Sequence, residues 1–273
     1  MKSVLINNIK ISNDKPFVFI GGPCAIEGLE HSVYVAGEIK KICKELNIDF
    51  IFKSSFDKAN RTSISSKRGI GIDEGLNILK EVKSLLNVPV LTDVHLPDQC
   101  EKVARVVDVL QIPAFLCRQT DLLKVAAQTG KPVHVKKGQF ISPEDMYQVI
   151  QKLTSFGCKD ILLCERGTFF GYGNLVNDFR SIPIMSKSGY PVVFDATHSV
   201  QMPSSKGTCS GGNRDFVPIL SKAAVAIGVS AVFMEVHENP DEAPCDGPNM
   251  VYLNKLKDIL SELKKIDKVI KGY

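Results

Sequence analysis

Short runs of β-branched and aromatic residues alternate with amphipathic stretches along nearly the whole chain, a pattern that calls for parallel strands joined by crossover helices. Eight such runs stand out: 17–24, 49–56, 88–95, 107–113, 132–138, 160–167, 191–198 and 231–238. Each is followed by a stretch that can form a helix with one apolar face. In 142–157, Ser142 precedes Pro143 as an N-cap and Gly157 stands where a helix gives way to a loop. Ahead of the first run, SVLINNIKIS (3–12) sets Asn7-Asn8 between two short alternating segments, which predicts a β-hairpin able to cover one end of the structure. Eight strand–helix units fit a closed (β/α)8 barrel of the α/β class, a TIM barrel with an N-terminal β-hairpin. An open doubly wound sheet usually has fewer strands and one switch-point crevice.

A length of 273 residues suits one such barrel, so a single catalytic domain over 1–273 is expected, without a linker or any repeat beyond the βα unit. The chain is 44% hydrophobic and 23% charged, which gives it a sizeable core and excludes disorder. Its net charge of +4 is too small and too dispersed for a nucleic-acid surface, and favours small anionic substrates instead. The terminal KLKDILSELKKIDKVIKGY alternates lysines with apolar residues as a solvated helix face does. The N-terminus lacks a secretory h-region and no apolar run reaches membrane-spanning length, so a cytoplasmic location and no membrane partner are expected. Eight cysteines without a CxxC pair predict buried apolar thiols rather than a zinc ribbon or a disulfide framework. The polar, glycine-rich stretch 199–215 is the candidate lid.

In a parallel barrel the C-terminal strand ends carry the chemistry. Here they offer Cys24, Lys53 with Lys58, Asp93 with His95, Gln111, Lys136 with Lys137, Arg166, His198 and Glu235. Lys53, Lys58, Arg61, Lys136 and Arg166 would crowd positive charge at one mouth, which then wants a polyanion such as a phosphate plus a carboxylate. Lys137 and Lys67 read as ordinary surface lysines. Cys24, His198, Glu235 and Asp246 come from the ends of the first, seventh and eighth strands and the loop beyond, so they can converge. A thiolate, an imidazole and two carboxylates suit Fe2+, Zn2+ or Mn2+ better than Mg2+ or Ca2+. His95, His134 and His237 remain alternative ligands on these grounds.

The segments GGPCAIE (21–27), FKSSFDKANRTS (52–63), TDVH (92–95), QIPAFLCRQTDL (111–122), VKKGQF (135–140), CERGTFFGYGNL (164–175), FDATHSVQ (194–201) and FMEVHENPDEAPCDGPN (233–249) follow one another in order. Together they closely resemble the 3-deoxy-D-manno-octulosonate 8-phosphate synthases, which condense phosphoenolpyruvate with D-arabinose 5-phosphate for lipopolysaccharide biosynthesis. The resemblance implies a transferase with a divalent metal on Cys24, His198, Glu235 and Asp246, because metal-free members carry asparagine at the position of Cys24. It places Lys53, Lys58, Lys136 and Arg166, with Ser55 and Gln111 nearby, around phosphoenolpyruvate. Asn60, Arg61 and Thr62 match the segment that meets the sugar phosphate, with Arg61 reaching an adjacent subunit's site in a homotetramer. Asp93, His95, His198 and Asp246 are the candidate catalytic groups. Cys245 beside Asp246 is a second thiol in the metal loop, and Ile70 stands where the family has proline. Two other enzymes share part of this pattern. The related aromatic-pathway synthase uses erythrose 4-phosphate but has K-P-R-T where this chain has K-A-N-R-T-S. A lysine-imine aldolase could use Lys53 or Lys136. A non-catalytic phosphosugar-binding barrel is the plainest alternative.

Overall fold

The computed structural model describes residues 1–61, 63–169, 173–203 and 211–273. Strands β1 (Val4–Ile6) and β2 (Ile9–Ile11) form the expected hairpin, pairing Ile6 with Ile9 across a two-residue turn. Asn7 takes a positive φ of 53° there, which asparagine tolerates better than most residues.

The next elements alternate as the pattern requires: β3 (Val18–Gly22), α1 (Leu29–Glu45), β4 (Phe50–Lys53), α2 (Ile72–Leu86), β5 (Val90–Asp93), α3 (Pro97–Ala104), β6 (Val109–Ile112), α4 (Thr120–Gln128), β7 (Val133–Lys136), α5 (Met146–Ser155) and β8 (Ile161–Glu165). A short pair, β9 (Thr168–Phe169) and β10 (Leu175–Val176), precedes α6 (Ser181–Ser186) and β11 (Val192–Asp195). A second, β12 (Gln201–Met202) and β13 (Gly211–Gly212), precedes α7 (Phe216–Ile227), β14 (Ala231–His237), β15 (Val251–Tyr252) and α8 (Leu253–Lys271). All eight long runs are strands, trimmed at their ends because the last residues of each belong to the loops above. Ser142 and Asp145 exchange hydrogen bonds ahead of α5, and Gly157 closes that helix with a φ of 94°.

Eight parallel strands run in the order β3-β4-β5-β6-β7-β8-β11-β14, and β14 returns to pair with β3, Ala231 opposite Val18 and Glu235 opposite Gly22. The sheet therefore closes on itself as a (β/α)8 TIM barrel. Its interior is filled by Val18, Ile20, Ile51, Leu91, Val109, Leu162, Val193 and Phe233, and Val4, Ile6, Ile9 and Ile11 of the hairpin join that cluster from below. A second, larger cluster lies between the strands and the helices. In α8 the buried residues Leu253, Leu256, Leu260, Leu263 and Asp267 follow helical spacing, which leaves most of the lysines outside. Among the described residues, no helix is long and apolar enough to cross a membrane.

Candidate active site

With the hairpin below, the C-terminal strand ends open onto a cavity of about 440 Å³. Lys53, Lys58, Asn60, Arg61, Asp93, His95, Gln111, Lys136, Arg166, His198 and Asp246 line it, so most of the predicted site residues meet at one mouth. Ser55, Cys24 and Glu235 stand immediately behind that lining, each 1% exposed or less. Thr62, and residues 204–210 of the candidate lid, lie outside the described residues.

β3 ends on glycines for a steric reason. A Cβ on Gly22 would lie 2.2 Å from the carbonyl oxygen of Lys53, so only glycine lets this strand end approach β4. The approach leaves Lys53 and Cys24 on neighbouring strand ends.

On one side of the mouth, Lys53 Nζ donates to Ser55 Oγ at 2.7 Å and pairs with Asp93 Oδ1 at 3.2 Å. Ser55 Oγ donates to Asp93 Oδ2 at 2.7 Å, and Gln111 Nε2 donates to Asp93 Oδ1 at 2.8 Å. Gln111 Oε1 lies 3.1 Å from His134 Nδ1. Burial lowers the Lys53 ammonium below the usual lysine range. Burial also opposes ionisation of Asp93, but the charges of Lys53 and Lys58 outweigh it and hold the carboxyl well below the usual carboxylate range. His134 is held neutral by burial, far below the ordinary histidine value.

On the other side, Lys136 Nζ pairs with Asp195 and sits 3.5 Å from the centre of the Phe233 ring, a cation over the aromatic floor of the mouth. Asp195 Oδ2 lies 2.8 Å from His198 Nδ1, which leaves His198 Nε2 facing Glu235 Oε1 at 3.6 Å and Asp246 Oδ2 at 3.9 Å. Burial opposes the charge on Asp195, yet His198 and Lys136 together hold it well below its ordinary value. Arg166 donates from Nη2 to Gln201 Oε1 at 3.1 Å, and Gln201 donates onward to Asp246 Oδ1 at 3.2 Å. Arg166 Nη1 is buried without a hydrogen-bond partner among the described residues, an open donor at the cavity wall.

Glu235 is the most unusual group. It is 1% exposed, and neither carboxylate oxygen has a hydrogen-bond partner among the described residues. Its nearest cation is Lys58 Nζ at 3.6 Å. Burial works to lower the Lys58 ammonium, but Glu235, Asp93 and Asp246 outweigh it and raise it above the usual lysine range. A buried carboxylate left without hydrogen bonds costs several kcal/mol unless a cation satisfies it. His198, Glu235 and Asp246 present ligand atoms within 4.8 Å of one another, as do Cys24, Cys245 and Asp246. His198, Glu235 and Asp246, joined by Cys24 as a thiolate, fit a divalent cation of the borderline class. Asp246 holds its place with a φ of 51°, a backbone strain of the kind that gathers at functional loops.

Two expectations need correction. Cys24 is not an isolated thiol: its sulfur is bonded to that of Cys245, with Cα atoms 6.4 Å apart, so the chain has a cross-link where none was expected. Lys137 is not a surface lysine. It is 1% exposed, donates to Thr168 Oγ1 at 3.1 Å and faces Glu165 at 3.7 Å, tying β9 to the barrel rim. Sequence reasoning also passed over Asp195, the hinge between Lys136 and His198, and Gln201, the bridge from Arg166 to Asp246. Asp195 carried a visible signal, a carboxylate closing an apolar strand (VVFD). Gln201 carried none.

The whole chain matches known proteins. The model of the DAHP synthetase I family covers residues 2–272. The 2-dehydro-3-deoxyphosphooctonate aldolase of Rickettsia bellii (strain OSU 85-389) is 58% identical over 270 residues, spanning 99% of this chain and 98% of the relative. The protein of the same name from Rickettsia prowazekii (strain Madrid E) has the same identity and coverage, and that of Rickettsia canadensis (strain McKiel) is 56% identical. A match of this extent spans the whole barrel, and the chain belongs to the DAHP synthetase I family.

Proposed function

We propose that this chain is a transferase that condenses phosphoenolpyruvate with D-arabinose 5-phosphate and water to give 3-deoxy-D-manno-octulosonate 8-phosphate and phosphate, a step toward lipopolysaccharide. The observation that carries the reading is the mouth itself: buried Lys53, Lys136 and Arg166 around a cavity with a guanidinium donor left open, beside a buried carboxylate without hydrogen bonds, among the described residues. The relatives' name denotes a phosphorylated eight-carbon 2-keto acid, which a three-carbon and a five-carbon substrate make together. A four-carbon aldose phosphate would fall one carbon short.

In this reading Lys53, Lys136 and Arg166 hold the phosphate and carboxylate of phosphoenolpyruvate, and Ser55 and Gln111 fix Asp93 below them. Asn60, Arg61 and Thr62 take the sugar phosphate, and Arg61 now donates to the carbonyls of Lys67 and Pro244. Two anions brought together repel, and the desolvated cations offset that repulsion while orienting the third carbon of phosphoenolpyruvate toward the aldehyde. Attack forms the new carbon–carbon bond, water adds at the second carbon, and phosphate leaves by C–O cleavage. Asp93, His95, His198 and Asp246 are the groups placed to hold or move protons. Burial lowers His95 below the ordinary histidine value, so it is a neutral acceptor at pH 7.

With Cys24 reduced, Cys24, His198, Glu235 and Asp246 would hold the divalent metal, Fe2+, Zn2+ or Mn2+. Held there, such an ion would supply Lewis-acid chemistry to the mouth. The chain acts as one catalytic unit over 1–273 in the cytoplasm, as a homotetramer. An imine mechanism is disfavoured because Lys53 and Lys136 each spend their charge on a carboxylate.

One assay tests the reading. Product formation from phosphoenolpyruvate is measured with arabinose 5-phosphate and with erythrose 4-phosphate, before and after chelation, alongside borohydride trapping and light scattering. Turnover of the tetrose in preference to the pentose, or covalent inactivation by borohydride with substrate, would overturn it.

A further inference from the structure

Cys24 stands just beyond β3 and Cys245 lies in the loop between β14 and β15, 221 residues later in the chain. Their Cα atoms are 6.4 Å apart, within the span a disulfide can bridge without backbone movement. The two sulfurs share a small cluster with Ala25 and Met250, and Cys24 Sγ also lies 3.3 Å from Asp246 Oδ2. One sulfur thus belongs to two arrangements. It faces the carboxylate of the candidate metal set, and it is bonded to a second cysteine.

We propose that Cys24 and Cys245 form a reversible disulfide that removes the Cys24 thiolate from the metal set, so that metal occupancy follows the redox state of this pair. The proposal rests on the metal site described above. A disulfide sulfur carries no negative charge and is a poor donor, so the bridged and metal-bound forms exclude each other. With a peroxide as the oxidant, one thiolate attacks a peroxide oxygen to give a sulfenic acid and water. The other sulfur then attacks the sulfenic sulfur and expels the second oxygen as water. Starting from the metal-bound thiolate and the Cys245 thiol, one hydrogen peroxide and one proton are consumed. The disulfide, the free divalent ion and two waters result. A dithiol returns the two electrons.

Among the described residues, the other cysteines make the reaction selective. Cys43, Cys100, Cys117, Cys158 and Cys164 are buried and unbridged. Burial pushes the thiols of Cys43 and Cys164 up to about 12 and those of Cys100 and Cys158 up to about 11. Thiols so raised are almost wholly protonated at neutral pH and poor nucleophiles toward peroxide. Among the described residues, only Cys24 and Cys245 are close enough to pair. Asp246, beside Cys245, lines the cavity through which a small oxidant enters.

The test uses the full-length protein, reduced and loaded with Zn2+, an ion with no redox chemistry of its own. One portion is titrated with hydrogen peroxide and then re-reduced with dithiothreitol, and Cys245→Ser and Cys245→Ala are carried through in parallel. Bound zinc, titratable thiols and the masses of cysteine peptides are measured. Oxidised wild type is expected to lose two thiols, to yield a joined Cys24–Cys245 peptide, and to release its zinc with more than about a hundredfold weaker retention, since even the loss of a ligand's outer support costs 10–100-fold. Reduction with added zinc restores it, and both variants keep their zinc at the same peroxide dose. Zinc retained by the bridged protein, or lost equally from wild type and variants, or no joined peptide at any dose, overturns the proposal while leaving the metal site standing. Reduced wild type that binds no zinc refutes the metal site itself, and the proposal with it.

Discussion

The two ends of the barrel are built from opposite rules. At the bottom, the hairpin seats Val4, Ile6, Ile9 and Ile11 against the interior, and a deeply buried acid nearby, Asp267, accepts from the Phe17 amide at 2.9 Å, from Tyr273 at 2.8 Å and pairs with Lys271 at 2.8 Å. At the top, among the described residues, Glu235 is buried without a hydrogen bond and Arg166 keeps an open nitrogen, and Asp246 carries a strained backbone. A protein spends polar satisfaction where it needs stability and withholds it where a ligand will complete the set. The contrast predicts that damage at the top should cost activity far more than stability, and damage at the bottom the reverse.

The largest effect belongs to metal removal. Chelation should abolish turnover while leaving the circular dichroism and melting of the barrel intact, because the proposed ligands sit at strand ends and in the loops beyond them, above an independently buried core. Mn2+, Fe2+, Co2+ or Zn2+ should restore activity to different degrees and Ca2+ should not. Full activity in protein shown to be metal-free would erase the contrast at its strongest point. Cys24→Asn should retain far less metal on the same measurement.

At the bottom, Ile11→Ala should cost about 2–5 kcal/mol in denaturant unfolding, as truncation of a fully buried isoleucine does, with KM for either substrate unchanged. A shift in KM would mean that the hairpin communicates with the mouth. Smaller again are the paired substitutions within the mouth. Arg166→Ala should raise the apparent KM for phosphoenolpyruvate about 10–100-fold, and Arg61→Ala that for the sugar phosphate, each sparing the other substrate. Equal losses for both substrates would show that the mouth is one undivided anion site.

The smallest effect is on acid stability. Asp93 has a folded-state pKa below its unfolded value, so its contribution is present above about pH 4 and is lost as the pH falls through the folded value. Between pH 5 and pH 3, wild type should therefore lose more unfolding free energy than Asp93→Asn. Identical losses would mean that the carboxylate pairing contributes nothing to the fold.

The barrel was legible because strand and helix periods are written into the apolar positions: all eight runs became strands and Asn7-Asn8 became the turn. The mouth was legible in its strand-end charges, since a lysine or histidine closing an apolar strand has no packing reason to be there. What stayed hidden depends on pairs brought together by closure. Lys137 looked solvated because sequence does not show that Glu165 and Thr168 meet it. Cys24 and Cys245 looked like separate apolar thiols because 221 residues divide them. Gln201 could not be singled out, since a glutamine in a polar loop gains its meaning only from the arginine and aspartate at its two ends.

Closure by β14 against β3 has a further consequence, for the order in which the chain can fold. The edge of β3 is complete once residue 22 has been made, yet its partner ends at His237, so during synthesis that edge waits about 10–40 s at ordinary elongation rates. Throughout that interval the hairpin has no finished interior to plug, and a hydrophobic edge stays open to other nascent chains. Contacts this distant in sequence make barrel closure a late event. Slower elongation over 190–237 should thus increase aggregation of the newly made protein without changing the stability of what has already folded.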